Sequence, residues 1–232
     1  MTARYLIGAL FALVLTACSV SPSAIPDAER RQVELLNATV RVEIASGGYG
    51  SGTVVGKRHI LTNHHVAGDS GTHTVRAWLS EFGKLYPVTY QAKAVASDEG
   101  KDLALLEIDG EWPGLVAPLG EGKLSPGVPV YVAGSPLGKR PHVVSGEVSL
   151  PRDDQEVIGL HHMMATAPVA PGNSGGGCWW RNPQTGRYEL VAVTRALATV
   201  PIGFGAVLLP HMSYFIPMND VRAFLAKSGV AI

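Results

Sequence analysis

Three short segments of this chain contain residues that could carry out nucleophilic catalysis. They read TNHHV at residues 62–66, DLALL at 102–106 and PGNSGG at 171–176. A serine hydroxyl is a weak nucleophile at neutral pH, so it needs an imidazole to accept its proton and a carboxylate to hold that imidazole in the right tautomer. Ser174, a histidine of the first segment and Asp102 supply these groups. Together they predict a Ser-His-Asp triad.

The glycines around Ser174 fit the same chemistry. Hydrolysis through a tetrahedral intermediate needs backbone N–H groups that converge on the developing oxyanion, and side chains would obstruct that approach. We therefore expect the N–H groups of Gly172 and Ser174 to form an oxyanion hole. Taken alone, the same stretch would also suit an ordinary glycine-rich turn.

The histidine and the carboxylate each have an alternative interpretation. His64 and His65 are adjacent, and neighbouring side chains point in different directions, so at most one of them faces the serine. Asp102 could be a solvated charge at the start of a strand. The apolar run at residues 103–106 favours a buried carboxylate instead, and such a group requires a partner.

With these motifs in the order His, Asp, Ser, the chain resembles the trypsin-like serine proteases and, among them, the high-temperature-requirement (Deg-type) branch. The resemblance covers roughly residues 38–228 and includes residues 132–138, 144–149, 190–194 and 215–217. The family pattern has the base directly before Val66, which selects His65 and leaves His64 as a partly exposed neighbour. The resemblance implies an endopeptidase that works through an acyl-enzyme, with no cofactor and no metal ion.

The resemblance also implies a position for the specificity pocket. In trypsin-like barrels its floor is set by the residue about six before the nucleophile, here Pro168. The expected pocket consists of Pro168, Val169, Thr194, Arg195 and Ala196. Residues 165–170 include no carboxylate, so a substrate Lys or Arg would be buried without a partner, whereas an aliphatic side chain would gain from burial. We expect cleavage after Val, Ala, Ile or Leu.

The elements that must position these groups follow from the patterning. Short β-branched segments bounded by Gly and Pro predict an all-β fold. They lie near residues 39–44, 52–55, 74–79, 88–96, 103–108, 128–133, 143–150, 162–167 and 190–194. We expect two packed antiparallel barrels of the trypsin-like type, with the site in the cleft between them.

Other boundaries follow from composition and periodicity. The predicted protease domain spans residues 37–232, with barrel 1 at about 37–120, barrel 2 at about 121–217 and an amphipathic C-terminal helix at about 218–228. We expect a short helix at 28–36 and an inter-barrel link at 113–126. The apolar stretch 198–210 is interpreted as a loop beside the specificity pocket, or alternatively as an oligomer contact. Too few residues follow Ile216 for a PDZ domain, so we expect none.

The amino terminus has the pattern of a secretory signal. Arg4 precedes an apolar stretch at residues 6–15 that is too short to span a membrane comfortably. Residues 15–18, LTAC, match the bacterial lipobox, and by that resemblance Cys18 is lipidated and becomes the first mature residue. Ser19 behind it suggests sorting to the outer membrane. We therefore expect a signal peptide at 1–17, a lipidated tether at 18–36, and a cell-envelope protein facing the periplasm.

Composition limits the remaining possibilities. The chain has two cysteines, so a lipidated Cys18 leaves Cys178 without a disulfide partner, and we interpret Cys178 as a small buried apolar residue. The 19 basic and 19 acidic residues balance, which does not favour a nucleic-acid partner. Two functions remain: a membrane-tethered endopeptidase acting on proteins or peptides, and a non-catalytic, lipid-anchored trypsin-like binding module. The sequence leaves the oligomeric state open.

Overall fold

A computed structural model describes residues 27–44, 47–81, 84–152, 161–202 and 205–230. The predicted signal peptide, Cys18 and the first part of the tether lie outside the described residues. The described part contains strands β1 (Thr39–Ile44), β2 (Gly48–Val54), β3 (His59–Thr62), β4 (Thr72–Glu81), β5 (Lys84–Asp98), β6 (Leu103–Ile108), β7 (Pro129–Gly134), β8 (His142–Leu150), β9 (Met163–Ala165), β10 (Gly177–Arg181), β11 (Tyr188–Ile202) and β12 (Gly205–Pro217). The helices are α1 (Asp27–Leu36), α2 (His64–Ala67) and α3 (Met218–Ser228), and Pro136–Gly138 form a 3₁₀ turn.

The strands form two closed antiparallel barrels of six strands each. The strand order is β1-β2-β3-β6-β5-β4 in the first barrel and β10-β11-β12-β9-β8-β7 in the second. Closure gives each strand two neighbours within its own barrel. The predicted all-β fold with two trypsin-like barrels and a short C-terminal helix is confirmed.

Strand β6 illustrates why the apolar run after Asp102 is continuous. Side chains alternate along a strand, so odd and even residues face opposite sides. Leu103 and Leu105 pack in the cluster between the barrels, whereas Leu106 and Ile108 pack inside the first barrel. Both faces of β6 are therefore buried, and Asp102, the residue directly before it, is also buried and contacts Arg195 of the second barrel.

Helices α1 and α3 pack against the interface between the barrels. Leu35 of α1 and Val221 and Phe224 of α3 join the same inter-barrel cluster as Leu103. The second barrel has its own core, which contains Val132, Cys178 and Phe215 among other buried side chains. Of the helices in the described ranges, none is long and apolar enough to cross a membrane.

Three strands were not anticipated from the sequence, namely β3, β10 and β12. The prediction of a loop at residues 198–210 was wrong, because β11 and β12 continue through this stretch as a two-stranded ribbon that pairs Thr199 with Leu208 and Pro201 with Ala206. Prolines normally argue against a strand because they lack a ladder donor. They are tolerated here because the pairing of β11 with β10 ends at Val193, so the outer ribbon is an edge.

Candidate active site

The predicted base lies on a one-turn helix at the rim of the first barrel. Helix α2 begins after Asn63, whose carbonyl accepts hydrogen bonds from the N–H groups of Val66 and Ala67 at 3.2 and 3.1 Å. Val66 and Ala67 are buried in the first barrel. Their burial fixes the helix and leaves the side chain of His65 half exposed at 49%.

Asp102 faces His65 from the turn before β6. Its φ of +52° is a left-handed conformation that Asp tolerates better than most residues. The carboxylate accepts a hydrogen bond from the backbone N–H of His65 at 3.0 Å, and His65 Nδ1 lies 3.0 Å from Oδ1 and 2.9 Å from Oδ2. Because an ionised carboxylate only accepts, Nδ1 carries the proton and Nε2 presents a lone pair. In this orientation the neutral ring can accept a proton at Nε2.

The electrostatics of Asp102 favour its ionised form. Burial by itself would raise the pKa of this carboxyl. The hydrogen bonds from the side chain and backbone of His65, together with the charge of Arg195, outweigh that effect and hold the pKa of Asp102 below its ordinary value. The carboxylate therefore stays charged across the neutral range.

His64 lies outside this arrangement. Its Nδ1 is 3.5 Å from Asp69 Oδ1, and its side chain is mostly buried at 17% exposure. Of the two adjacent histidines, the structure brings only His65 into contact with Asp102.

Ser174 lies in a tight loop held by both barrels. The N–H of Ser51 in β2 donates to the carbonyl of Ser174 at 2.7 Å, and the N–H of Gly175 donates to the carbonyl of Thr194 in β11 at 2.9 Å. Gly175 has φ +85°, and a Cβ there would lie 2.2 Å from the Ser51 carbonyl oxygen. The loop can pass between the barrels only because this residue has no side chain.

The hydroxyl of Ser174 donates to the backbone carbonyl of Arg195 at 3.2 Å. Within the described part of the chain, no hydrogen bond joins it to His65. A serine side chain can change between staggered rotamers about its Cα–Cβ bond, and catalytic contacts often tighten only when substrate binds. The structure thus joins His65 to Asp102 directly and connects Ser174 to them through Arg195.

Two backbone N–H groups next to Ser174 are free to bind an anion. The Pro171 carbonyl accepts from Leu137 N–H at 2.7 Å, and the Asn173 carbonyl accepts from Gly176 N–H at 2.9 Å. In a trans peptide the N–H points opposite to the carbonyl, so the amides of Gly172 and Ser174 point away from these contacts. Among the described residues neither amide has an acceptor.

A cavity of about 260 Å³ opens beside the Ser174 side chain. It is lined by Val169, Ala170, Pro171, Ser174, Thr194, Arg195, Ala196, Leu197 and Leu208. The placement of Pro168 on its floor needs correction, because Pro168 is exposed and is not one of the lining residues. Leu197 and Leu208 were not foreseen, since they reach the cavity from the β11–β12 ribbon.

Arg195 differs most from its expected position. Its guanidinium makes two contacts that were not expected of a residue that only lines the pocket. Nε donates to Asp102 Oδ2 at 3.1 Å, and Nη1 lies 2.7 Å from Nε2 of His162. His162 is buried, its ring tilted against Tyr214 with 5.3 Å between centroids. No local sequence signal announces these contacts, because the partners are 93 and 33 residues away.

Other candidates for chemistry near the site are weak. Cys178 is fully buried in the second barrel, and burial raises the pKa of its thiol, so it carries no thiolate near neutral pH. In the ranges that the structure describes, no three His, Cys, Asp or Glu side chains cluster as metal ligands would.

Comparisons with known proteins agree with this geometry. Residues 50–193 match the trypsin-like peptidase domain family. The chain is 37% identical over 142 residues to "Serine protease Do-like HtrA" of Lactobacillus helveticus, covering 55% of this chain and 32% of that protein. It is 32% identical over 189 residues to "Probable periplasmic serine endoprotease DegP-like" of Pseudomonas putida (strain W619), covering 78% of this chain and 35% of that protein. The chain thus spans about a third of the length of these relatives.

A solved structure has the same fold as this chain. The crystal structure of Rv3671c from M. tuberculosis H37Rv, in an inactive form, aligns with a TM-score of 0.65 at 20% identity, covering 84% of this chain and 88% of that one. The resemblance to the Deg-type branch is confirmed by the relatives, and the barrels by the solved structure. With more than half of its residues matched by the family, this chain belongs to the trypsin-like peptidase domain family.

Proposed function

We propose that the chain is a serine endopeptidase that cleaves proteins or peptides through an acyl-enzyme on Ser174. The observation that carries the proposal is the contact of His65 Nδ1 with both oxygens of a buried, ionised Asp102 at 3.0 and 2.9 Å. This contact leaves Nε2 free to act as a base. The names of the relatives, which are serine proteases, support the same activity.

In the proposed reaction, Ser174 Oγ rotates away from the Arg195 carbonyl and bonds to the scissile carbonyl carbon, while His65 Nε2 takes its proton. The carbonyl oxygen becomes an oxyanion at the N–H groups of Gly172 and Ser174, and Asp102 stabilises the imidazolium. The tetrahedral intermediate then collapses: the scissile C–N bond breaks, His65 gives the proton to the leaving amine, and the acyl group remains as an ester on Ser174. A water molecule, activated by His65 in the same way, hydrolyses the acyl ester and frees Ser174.

A fluorophosphonate probe tests this activity, since it reacts only with an activated serine. We expect covalent labelling of the full chain in detergent micelles and none of Ser174→Ala, which removes the nucleophile without opening a sizeable cavity. Ser149→Ala, which changes an exposed serine of β8, is the matched control and should label like the wild type. An unlabelled wild type would contradict the enzyme and favour the non-catalytic binding module.

We also propose that substrates are cut after small aliphatic residues. The cavity beside Ser174 is lined mainly by apolar side chains, and no carboxylate of the described residues lines it. Each methylene that fits is worth roughly 1–3 kcal/mol of discrimination, whereas a buried substrate cation would lack a partner. A peptide library varied at the residue before the cut should show a preference for Val, Ala, Ile or Leu.

The ribbon offers a matched pair of variants for this prediction. Leu208 lines the cavity, whereas its neighbour Val207 is equally exposed at 49% and does not. Leu208→Ala should enlarge the cavity and raise relative cleavage after Phe, because the shorter side chain leaves room for a ring. Val207→Ala should leave the preference unchanged. A dominant preference for Lys or Arg in the wild type would refute the proposed pocket.

We propose, finally, that a lipid on Cys18 tethers the enzyme to the periplasmic face of the outer membrane. The lipobox at residues 15–18 carries this proposal, and the name of the P. putida relative, a probable periplasmic endoprotease, agrees with it. Cys18→Ser should abolish incorporation of radiolabelled palmitate, because the acceptor thiol is lost. Cys178→Ser removes the other cysteine and should leave incorporation intact. Equal labelling of Cys18→Ser and the wild type would rule out the anchor.

A further inference from the structure

Arg195 connects the two halves of the proposed triad. Its backbone carbonyl accepts the hydroxyl of Ser174 at 3.2 Å, and its side chain donates to the carboxylate of Asp102 at 3.1 Å. Asp102 belongs to the first barrel, whereas Arg195 lies on β11 of the second. We propose that Arg195 is a positioning residue that holds Asp102, and that its charge offsets part of the negative charge facing His65. The inference rests on the proposed function.

The first step is geometric. Asp102 Oδ1 accepts from the backbone N–H of His65, and Oδ2 accepts from Arg195 Nε. His65 Nδ1 lies within 3.0 Å of both oxygens. With donors on both oxygens, the carboxylate cannot rotate without breaking a charge-assisted hydrogen bond. Its orientation, and through it that of the imidazole, is therefore set partly by the second barrel.

The second step concerns what holds the guanidinium itself. Arginine has no acceptor, so in the 2.7 Å contact Nη1 donates to Nε2 of His162, and the His162 proton must lie on Nδ1. His162 immediately precedes β9 and is almost fully buried at 1% exposure. The planar fork of Arg195 is thus fixed between the two barrels at separate nitrogens, which a flexible ammonium would reproduce poorly.

The third step is electrostatic. The side chains of Arg195 and Asp102 are only 9% and 8% exposed, so water screens their charges weakly. A cation behind Asp102 offsets part of the negative charge that would stabilise the His65 imidazolium. Of the neighbouring described groups, Lys101 pairs with Asp220 at 2.6 Å and His64 lies 3.5 Å from Asp69. Arg195 is therefore the described cation in direct contact with the triad carboxylate, and it should extend activity to lower pH.

The test is the pH dependence of kcat/KM for an aliphatic peptide substrate, measured on the full chain. Arg195→Gln keeps a donor for Asp102 but removes the charge, and Arg195→Met removes both. We expect both variants to lose about tenfold or more in kcat/KM near neutral pH and to shift the midpoint of the acid limb upward by about one pH unit. Arg195→Lys, which keeps the charge, should restore most of the midpoint even if its rate stays low.

Two comparisons separate this role from others. Arg58→Met removes a half-exposed arginine paired with Glu107 and should leave the profile unchanged. Arg195 lines the cavity, but its guanidinium contacts Asp102 and His162, so we expect the Arg195 variants to move the midpoint of the acid limb more than the ratio of cleavage after Val to cleavage after Phe. A changed ratio with an unmoved midpoint would overturn the proposal in favour of a pocket role.

Separate control measurements report the folding of each variant and the activity of the wild type. Near-UV circular dichroism establishes that each variant is folded. If neither neutral variant folds, Arg195→Lys tests the role of the charge. An upward shift of about one pH unit in the midpoint of its acid limb would contradict that role, because lysine keeps the charge. Fluorophosphonate labelling of the wild type tests the proposed function by itself. If the wild type is labelled but the acid-limb midpoints of the folded neutral variants do not move, the proposed role of Arg195 is refuted and the proposed function is not.

Discussion

Replacing His65 with Ala is expected to lower kcat/KM by about 10⁴-fold or more and to abolish fluorophosphonate labelling. The imidazole takes the proton of Ser174 in the proposed reaction, and loss of a triad member leaves only the contribution of the oxyanion hole and substrate binding. The side chain is half exposed, at 49%, so the variant should remain folded. Progress curves with an aliphatic peptide, together with probe labelling, measure the effect.

The adjacent histidine is the control for this prediction. His64→Ala should retain a substantial fraction of the activity, because the His64 ring lies towards Asp69 and makes no described contact with Asp102 or Ser174. The two variants remove the same side chain from neighbouring positions of one helix. If His64→Ala were inactive and His65→Ala active, the base would be His64 and the proposed assignment would be wrong.

Replacing Gly175 with Ala is expected to destabilise the protein by at least about 3 kcal/mol, since overpacking and backbone strain add at this position. An added Cβ would lie 2.2 Å from the Ser51 carbonyl oxygen and 2.3 Å from Thr62 Oγ1, at φ +85°. Both contacts are with the first barrel, so relief requires the Ser174 loop to move away from it. Urea unfolding measures the loss of stability, and probe labelling should fall with it.

Gly127→Ala separates the two causes. Gly127 has nearly the same conformation, φ +81°, but no heavy atom lies within 4 Å of its ideal Cβ. It should therefore show only the backbone cost, about 1–2 kcal/mol. The difference between the variants reports the close approach of the two barrels at Gly175. Equal losses of stability in the two variants would contradict the close contact of Gly175 with the first barrel.

The triad candidates were accessible from sequence because the chemistry requires particular residue types. A serine between glycines, a histidine and an aspartate before an apolar run are local features, and their order is visible in the chain. The sequence alone did not separate His64 from His65; the family pattern selected one. The contact of His65 with Asp102 depends on a one-turn helix whose direction is set by burial of Val66 and Ala67.

The pocket and its surroundings were less predictable. Counting six residues back from Ser174 led to Pro168, which is exposed, because an irregular segment has no fixed period from which a direction can be projected. Leu197 and Leu208 line the cavity because the β11–β12 ribbon continues past its prolines. Proline lowered the expectation of a strand there, although an edge strand tolerates the missing donor.

By itself the sequence determined the all-β class, the order of the two barrels and the residue types available for catalysis, because strand periodicity and residue chemistry act over a few neighbouring positions. Tertiary structure decided which histidine meets Asp102, which side chains line the cavity and where the Arg195 guanidinium lies. Arg195 and Asp102 are 93 residues apart and belong to different barrels. Such a contact depends on barrel closure, strand register and inter-barrel packing together, and no local pattern encodes all three.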